Sequence, residues 1–191
     1  MIYLKKFDYG SLKKGERKKT ETLNGRLLLK EAVFREYGVD TDNLTIETGS
    51  HGKPYFSERT DIFFNISHSG DYAAVCVADS PVGIDIQEIR SVREGLEKKI
   101  CTEEEIGFIN SFEDRNKAFM ILWALKESYI KAIGKGMTFP MKEVSFRTEN
   151  FDGELKGELS NMPGSFFVKD LGDYILAVCS LEKEVCTCIS E

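Results

Sequence analysis

The sequence predicts an α+β protein of two pseudo-twofold-related halves, each a long helix packed on a small, mainly antiparallel sheet. The first observation is an internal repeat: Leu29–Gly38 reads LKEAVFREYG, and Leu125–Gly134 reads LKESYIKAIG. A second pair of similar segments follows in the same order, GDYAAVCV at Gly70–Val77 and GDYILAVC at Gly172–Cys179. Two pairs of similar segments in the same order along the chain indicate a duplicated unit. Separate blocks of helices and strands are typical of α+β folds.

The first half spans residues 1–80. Its helix is predicted near Lys18–Tyr37, because the pattern is helical and a glycine stands where the helix would end. Apolar runs bounded by turn residues then predict strands. These strands are Leu44–Thr48, Ile62–Ile66 and Tyr72–Ala78. The boundary is expected near Asp79–Pro81, where a turn signal precedes a new strand.

The second half spans residues 81–191 and begins with a strand over Val82–Ile89. Helices are predicted next, over Gly95–Ile100, Thr102–Ser111 and Arg115–Ile133. Strands follow, over Glu143–Arg147, Gly153–Leu159, Ser165–Lys169 and Tyr174–Leu181. Because a cleft between two similar halves is a common place for a ligand, the active site is expected at the seam.

The 191 residues are 41% hydrophobic and 30% charged, with a formal charge of −6. This is globular composition, and it gives no global positive field for nucleic acid or an anionic membrane. Local positive charge does occur, in an early cluster of Lys13, Lys14, Arg17, Lys18, Lys19 and Arg26. Such a cluster is typical of an anion site or of a solvated helix face, and the sequence alone leaves both open.

The compartment is predicted from the cysteines and the first residues. Five cysteines fit no zinc spacing and indicate thiols in a reducing compartment. Lys5, Lys6 and Asp8 do not fit a signal peptide, and no apolar run approaches the ~18 residues of a membrane span. We therefore expect a cytoplasmic protein. Because the duplicated halves already form a seam within one chain, we expect a monomer.

Two candidate acids lie in separate motifs. In the first, PVGIDIQ at Pro81–Gln87, period-two alternation places Asp85 and Gln87 on one face of a strand. An acid and an amide side by side can hold a hard cation through oxygen. A solvent-facing strand side is the alternative, and the spacing alone favours it.

The second motif, WALKESYIK at Trp123–Lys131, has helical spacing. Trp123, Glu127 and Lys131 fall four residues apart and form one stripe of the helix. A Glu four residues before a Lys is also a routine surface pair, worth about 0.3–0.5 kcal/mol. Because Trp123 indicates partial burial, Glu127 needs either Lys131 or a metal as its partner.

A polar turn and a stiff loop complete the candidate site. Asp61–Val77 predicts a hairpin whose tip carries Ser67 and His68, both able to meet a phosphate. An ordinary polar turn is the alternative. Lys53 lies next to a proline in the loop Gly49–Pro54, so the backbone there is stiffened.

Taken in order, these motifs resemble one known family. GKP at 52–54, FNISHSG at 64–70, VGIDIQ at 82–87 and WALKESYIKAIGKG at 123–136 are similar to the 4′-phosphopantetheinyl transferases of the surfactin-synthetase type. The resemblance runs from roughly Arg17 to Ala177. It implies two pseudo-twofold-related halves that bind coenzyme A and Mg²⁺ between them. The implied reaction moves the 4′-phosphopantetheine arm to a serine of an apo acyl or peptidyl carrier protein and releases adenosine 3′,5′-bisphosphate.

The resemblance also implies catalytic roles. Asp85 and Glu127 match the metal-binding acids, and Lys131 matches a lysine beside the reacting phosphate. Glu127, directly or through a metal-bound water, is the candidate base for the serine proton. Gln87 stands where the family often has a glutamate, so it is an expected third metal ligand that contributes less charge.

Further residues are implied to bind coenzyme A. Ser67 and His68 match the turn that contacts its phosphates, with Asp85 close by at the metal. Lys53 matches the loop lysine that lines the nucleotide. The basic residue for the 3′-phosphate stays open between Lys18, Lys19 and Arg26.

Two other functions stay open at this point. A non-catalytic coenzyme A or carrier-protein binding module of the same fold would be compatible with Gln87. A Mg²⁺-dependent phosphohydrolase would use the two acids, and no further motif indicates it.

Overall fold

The computed structural model describes residues 1–10 and 12–190, and for Lys14 and Met137 it gives the backbone alone. The first half contains one long helix and five strands. Its elements are β1 (Ile2–Lys6), α1 (Lys14–Tyr37), β2 (Ile46–Thr48), β3 (Pro54–Phe56), β4 (Phe63–Ser69) and β5 (Tyr72–Ala78). β5 pairs antiparallel with both β1 and β4, and β2 pairs antiparallel with β3.

The second half repeats this plan with two additional short helices. Its elements are β6 (Val82–Glu88), α2 (Glu97–Ile100), α3 (Glu103–Ser111), α4 (Arg115–Ile133), β7 (Glu154–Gly157), β8 (Ser165–Asp170), β9 (Tyr174–Ser180) and β10 (Ile189–Ser190). The sheet order is β6-β9-β8-β7, all antiparallel. β10 returns to the first sheet and lies parallel to β1.

The internal repeat is visible in the helices and in the sheets. α1 and α4 both end at a glycine in the left-handed region, Gly38 at φ 65° and Gly134 at φ 67°. Each cap N–H donates to a carbonyl one turn earlier. The strand orders β1-β5-β4 and β6-β9-β8 correspond. The predicted α+β fold of two similar halves is confirmed.

Some local predictions are wrong. β1, β3 and β10 are strands beyond the predicted ones, and β1 gives the first half the same opening strand as the second. Glu143–Arg147 is not a strand: it contains the end of a 3-10 turn and a single bridge between Phe146 and Ser160. The reason is that side chains take its backbone groups. Lys126 donates to the Val144 carbonyl, and the Phe146 N–H donates to Glu105.

Three hydrophobic cores stack through the molecule. α1 covers the outer face of the first sheet, α4 covers the outer face of the second, and α3 packs against α4. The third core lies between the sheets, where Ile2 and Ala74 of the first half meet Ile84 and Leu176 of the second. No helix in the described part of the chain is long and apolar enough to cross a bilayer.

A glycine brings β6 against α4. A Cβ built on Gly83 would lie 2.0 Å from the Ser128 carbonyl oxygen and 2.4 Å from the Ala132 nitrogen. Only a residue without a side chain fits this approach. The strand that carries Asp85 therefore lies directly on the helix that carries Glu127.

The two halves are joined along the edges of β4 and β6. β6 is the edge of its sheet, so its outward N–H groups need other partners. Alternate β4 side chains supply them, since alternate residues face one side. Asn65 accepts from Ile84 at 2.9 Å, Ser67 from Ile86 at 3.2 Å and Ser69 from Glu88 at 3.0 Å.

Candidate active site at the seam

Asp85 forms the centre of a polar cluster between β4, β6 and α4. The residue is 1% exposed. Its Oδ1 accepts from Lys131 Nζ at 2.5 Å and from Ser67 Oγ at 3.0 Å. Its Oδ2 accepts from Gln87 Nε2 at 2.9 Å. A buried carboxylate needs such partners, and these three fix its orientation.

Lys131 reaches the cluster from α4. Besides Asp85, its ammonium donates to Ser67 Oγ at 3.0 Å and to the Ile84 carbonyl at 3.1 Å. The Lys131 side chain is 26% exposed, whereas that of Asp85 is 2% exposed. The lysine therefore lies at the solvent-facing side of a buried acid, where it can also meet an incoming anion.

Glu127 lies one helical turn before Lys131 and is half-buried. Within the described chain, its carboxylate makes no hydrogen bond or ion pair. Burial raises the pKa of Glu127, the negative charge of Asp85 raises it further, and Lys131 opposes both. The carboxylates of Asp85 and Glu127 therefore influence each other, and the pKa of Glu127, the more exposed of the two, is raised.

A cavity of about 260 Å³ lies on the other face of β4. Because successive strand residues face opposite sides, Ser67 points to the Asp85 cluster and His68 lines this cavity. The His68 side chain is 41% exposed, with Nδ1 3.9 Å from Glu21. Thr22 and Arg26 of α1 line the opposite wall. The cavity and the cluster therefore flank one strand.

Sequence comparisons identify the family. The profile of the 4′-phosphopantetheinyl transferase superfamily matches residues 81–179, and a profile described as 4′-phosphopantetheinyl transferase, N-terminal, matches residues 12–80. The 4′-phosphopantetheinyl transferase of Bacillus subtilis is 31% identical over 170 residues, covering 86% of this chain and 75% of that protein.

The chain belongs to the 4′-phosphopantetheinyl transferase superfamily. 4′-Phosphopantetheinyl transferase Sfp of Bacillus subtilis (strain 168) is 32% identical, covering 83% of this chain and 73% of that protein. A Mus musculus L-aminoadipate-semialdehyde dehydrogenase-phosphopantetheinyl transferase is 34% identical, covering 65% of this chain and 45% of that protein. The family and the enzyme class predicted from the motifs are confirmed.

The structure brings together most of the site residues predicted for this transferase. Asp85, Gln87, Glu127, Lys131 and Ser67 surround one point of the seam. No group of three or more His, Cys, Asp or Glu side chains within residues 1–10 and 12–190 forms a metal-binding arrangement. The side-chain oxygens at this point of the seam belong to two acids, an amide and a hydroxyl.

Lys53 lies apart from the Asp85 cluster. Its ammonium donates to the Val82 carbonyl at 3.0 Å and to the Ala132 carbonyl at 2.7 Å. Both acceptors belong to the second half of the transferase, so Lys53 fastens a loop of the first half to β6 and α4. Burial lowers its pKa to about 8. Its predicted contact with the nucleotide stays a prediction.

The early basic cluster divides into residues with different surroundings. Arg17 is engaged: it donates to Glu21 at 2.9 Å and to the Gly70 carbonyl at 2.6 Å, which anchors α1 to the β4–β5 turn. Lys18 and Lys19 are exposed. Arg26 lines the His68 cavity. The Lys14 side chain lies outside the described part of the structure.

A buried ion pair behind the site goes beyond the sequence prediction. Lys126 and Glu105 are both fully buried, with 2.8 Å between Nζ and Oε2. Glu105 also accepts from the Thr102 and Phe146 N–H groups. The pair ties α3 and the segment after α4 to the helix that carries Glu127 and Lys131. Two sequence features could have indicated this pair. Lys126 lies on the same helical face as the apolar Leu122, and Thr102 and Glu105 form a capping-box pattern.

Proposed function

We propose that this transferase moves 4′-phosphopantetheine from coenzyme A to a serine hydroxyl of an apo acyl or peptidyl carrier protein, with Mg²⁺ held by Asp85 and Glu127. The observation that supports this is the convergence of Asp85, Glu127 and Lys131 beside the strand that carries Ser67 and His68. Such a site offers oxygen ligands, a cation and phosphate donors within one seam.

The residues fit Mg²⁺. Two carboxylates share a space, and the pKa of Glu127 is raised partly by the charge of Asp85, a repulsion that a divalent cation relieves. Mg²⁺ needs only one or two carboxylates together with waters and substrate phosphates. Gln87 turns Nε2 towards Asp85, so it would reach the metal or a metal-bound water through Oε1. When bound, Mg²⁺ stabilises negative charge on the diphosphate.

The protein groups have distinct roles in the proposed transfer. The carrier serine oxygen forms a bond to the phosphorus that bears the pantetheine arm, and the bond from that phosphorus to the bridging oxygen breaks. Glu127, whose carboxylate makes no hydrogen bond or ion pair within the described chain, accepts the serine proton. Lys131 donates to the leaving adenosine 3′,5′-bisphosphate, which carries away the bond electrons. Asp85 and Ser67 hold the Lys131 ammonium in position.

We propose that the 3′-phosphate of coenzyme A lies in the His68 cavity. Arg26 offers a guanidinium suited to bidentate phosphate binding. Thr22 and His68 face the same space. The loop of Lys53 closes one side through Pro54.

The decisive test incubates an apo carrier protein with coenzyme A and Mg²⁺ and measures the carrier mass. Wild type is expected to add the phosphopantetheine arm, and Glu127→Gln to slow transfer by about 10²–10⁴-fold. Lys117→Met, which removes a lysine of the same helix paired elsewhere, is the control. Coenzyme A binding without any mass shift would support the non-catalytic binding module, and phosphate release without a carrier would support the phosphohydrolase.

We further propose a cytoplasmic monomer divided into residues 1–80 and 81–191. Free thiols at all five cysteines support a reducing compartment. The two family profiles meet at residue 80, which supports the division. Size-exclusion chromatography with light scattering measures the mass of the protein in solution, and the mass of a dimer would overturn the proposed monomer.

A further inference from the structure

A second, larger cavity of about 550 Å³ opens at the seam. The first half contributes aromatic and aliphatic walls, including Phe56, Ile62 and Phe63. The second half contributes Pro81 and Leu181, with Ala132 and Ile133 at the end of α4. The catalytic residues and His68 do not line it. The cavity is therefore distinct from the site that carries the acids.

The charged and phenolic side chains of this seam cavity already have partners in the protein, and the remaining polar side chain is the neutral hydroxyl of Thr60. The Lys53 ammonium donates to two carbonyls of the second half. Arg59 donates to Asp61 through Nε at 2.8 Å and Nη2 at 2.7 Å. The Tyr55 hydroxyl donates to Glu47 at 2.6 Å. A phosphate or carboxylate entering the cavity would have to displace one of these bonds to find a partner.

The walls also indicate the shape of a ligand. Phe63, Pro54 and Pro81 are the partly exposed ring-bearing walls, whereas the rings of Phe56 and Phe64 are only 1% and 2% exposed and pack with centroids 4.6 Å apart in the core behind them. Aromatic faces pack well on other ring systems. Cavities of about 300–1,000 Å³ that are mainly apolar accept drug-sized molecules.

We propose that the seam cavity binds a neutral molecule with an aromatic or polycyclic body, at a site separate from the Asp85 cluster and from the His68 cavity, although Lys53 and Pro54 of the coenzyme-binding loop form part of its wall. Such a ligand touches both halves of the transferase at once. Because it binds the folded protein and not the unfolded chain, it stabilises the folded protein by mass action.

The neutral fluorophore N-phenyl-1-naphthylamine tests this inference directly. Titration of the wild-type protein is expected to give saturable enhancement for one site and a rise in Tm. Leu181→Trp and Ile133→Trp fill the cavity from the second half and are expected to weaken binding at least tenfold. Leu155→Trp changes another partly buried residue of that half outside the cavity, so it serves as the matched control. Circular dichroism checks that each variant is folded.

Three outcomes would overturn the proposal. The first is a signal that does not saturate with wild type. The second is unchanged affinity in both filled variants. The third is competitive displacement of the fluorophore by coenzyme A, which would assign the cavity to the coenzyme. None of these depends on transferase activity, so the two proposals fail separately.

Discussion

Tyr72 and Tyr174 hold equivalent positions in the two hairpins, and their rings meet edge to face with centroids 4.8 Å apart. The two repeats therefore contact each other through the same residue of each unit. The Tyr174 hydroxyl also accepts from the Asp71 N–H at 3.4 Å. This contact lies directly against the turn at Gly70, where a Cβ would be 2.2 Å from the Tyr174 oxygen.

Gly70→Ala is expected to destabilise the protein more than Gly172→Ala, the equivalent change in the second hairpin. Both glycines have positive φ, 56° and 88°, so each alanine incurs about 1–2 kcal/mol of backbone strain. Only at Gly70 does the methyl group also meet a neighbour, because nothing lies within 4 Å of a Cβ at Gly172. Urea denaturation measures the difference. Tyr174→Phe should partly rescue Gly70→Ala, and equal losses in both alanine variants would contradict the clash.

Gly83→Ala is expected to cost about 3 kcal/mol or more, or to prevent folding, because the methyl group meets backbone atoms of α4 that cannot rotate away. Gly107→Ala is the control: a Cβ there has open space in α3, so helix propensity should raise stability by roughly 0.4–1 kcal/mol. Thermal unfolding followed by circular dichroism compares the two. A Gly83→Ala variant as stable as wild type would refute the close approach of β6 and α4.

Lys53 is expected to make stability rise with pH. Its folded-state pKa is about 8, below the ~10.4 of an unfolded lysine. Between these values the unfolded chain keeps a proton that the folded protein has lost, so raising the pH favours the folded state. The stability of wild type relative to Lys53→Met should therefore increase by about 1–3 kcal/mol from pH 7 to pH 10. Urea titrations at each pH measure it. The exposed Lys18→Met should give a flat difference, and a flat result for Lys53→Met would refute the shift.

Gln87→Glu is expected to lower the Mg²⁺ concentration needed for transfer and to weaken the protein without Mg²⁺. The added carboxylate increases the charge offered to the cation, but it removes the hydrogen bond that Gln87 donates to Asp85. Losing that bond to a buried acid costs about 1–3 kcal/mol. Tm measured with Mg²⁺ and with a chelator separates the two effects. Gln87→Met, which lacks both charge and donor, is the control; an unchanged or raised Mg²⁺ requirement in Gln87→Glu would count against the metal assignment.

The sequence predicted those features of the fold and the site that depend only on residues close together in the chain. Strand alternation placed Asp85 and Gln87 together, and the repeat predicted both helices with their terminal glycines. The meeting of Asp85 with Glu127 depends on Gly83, whose role is visible only when α4 lies on β6. The partners of Lys53 are backbone carbonyls of the other half, and no side-chain pattern encodes such acceptors.

The hydrogen bonds between β4 side chains and the β6 backbone affect how this enzyme can evolve by substitution. A backbone ladder between strands is the same for every sequence, so substitution hardly alters its strength. Here the joint depends on Asn65, Ser67 and Ser69, three small polar residues that a single codon change can remove or lengthen. The strength of the contact between the two halves can therefore change during evolution one residue at a time, while both sheets stay intact. Ser67 belongs to this joint and to the Asp85 cluster, so a substitution there changes the contact between the halves and the Asp85 cluster together.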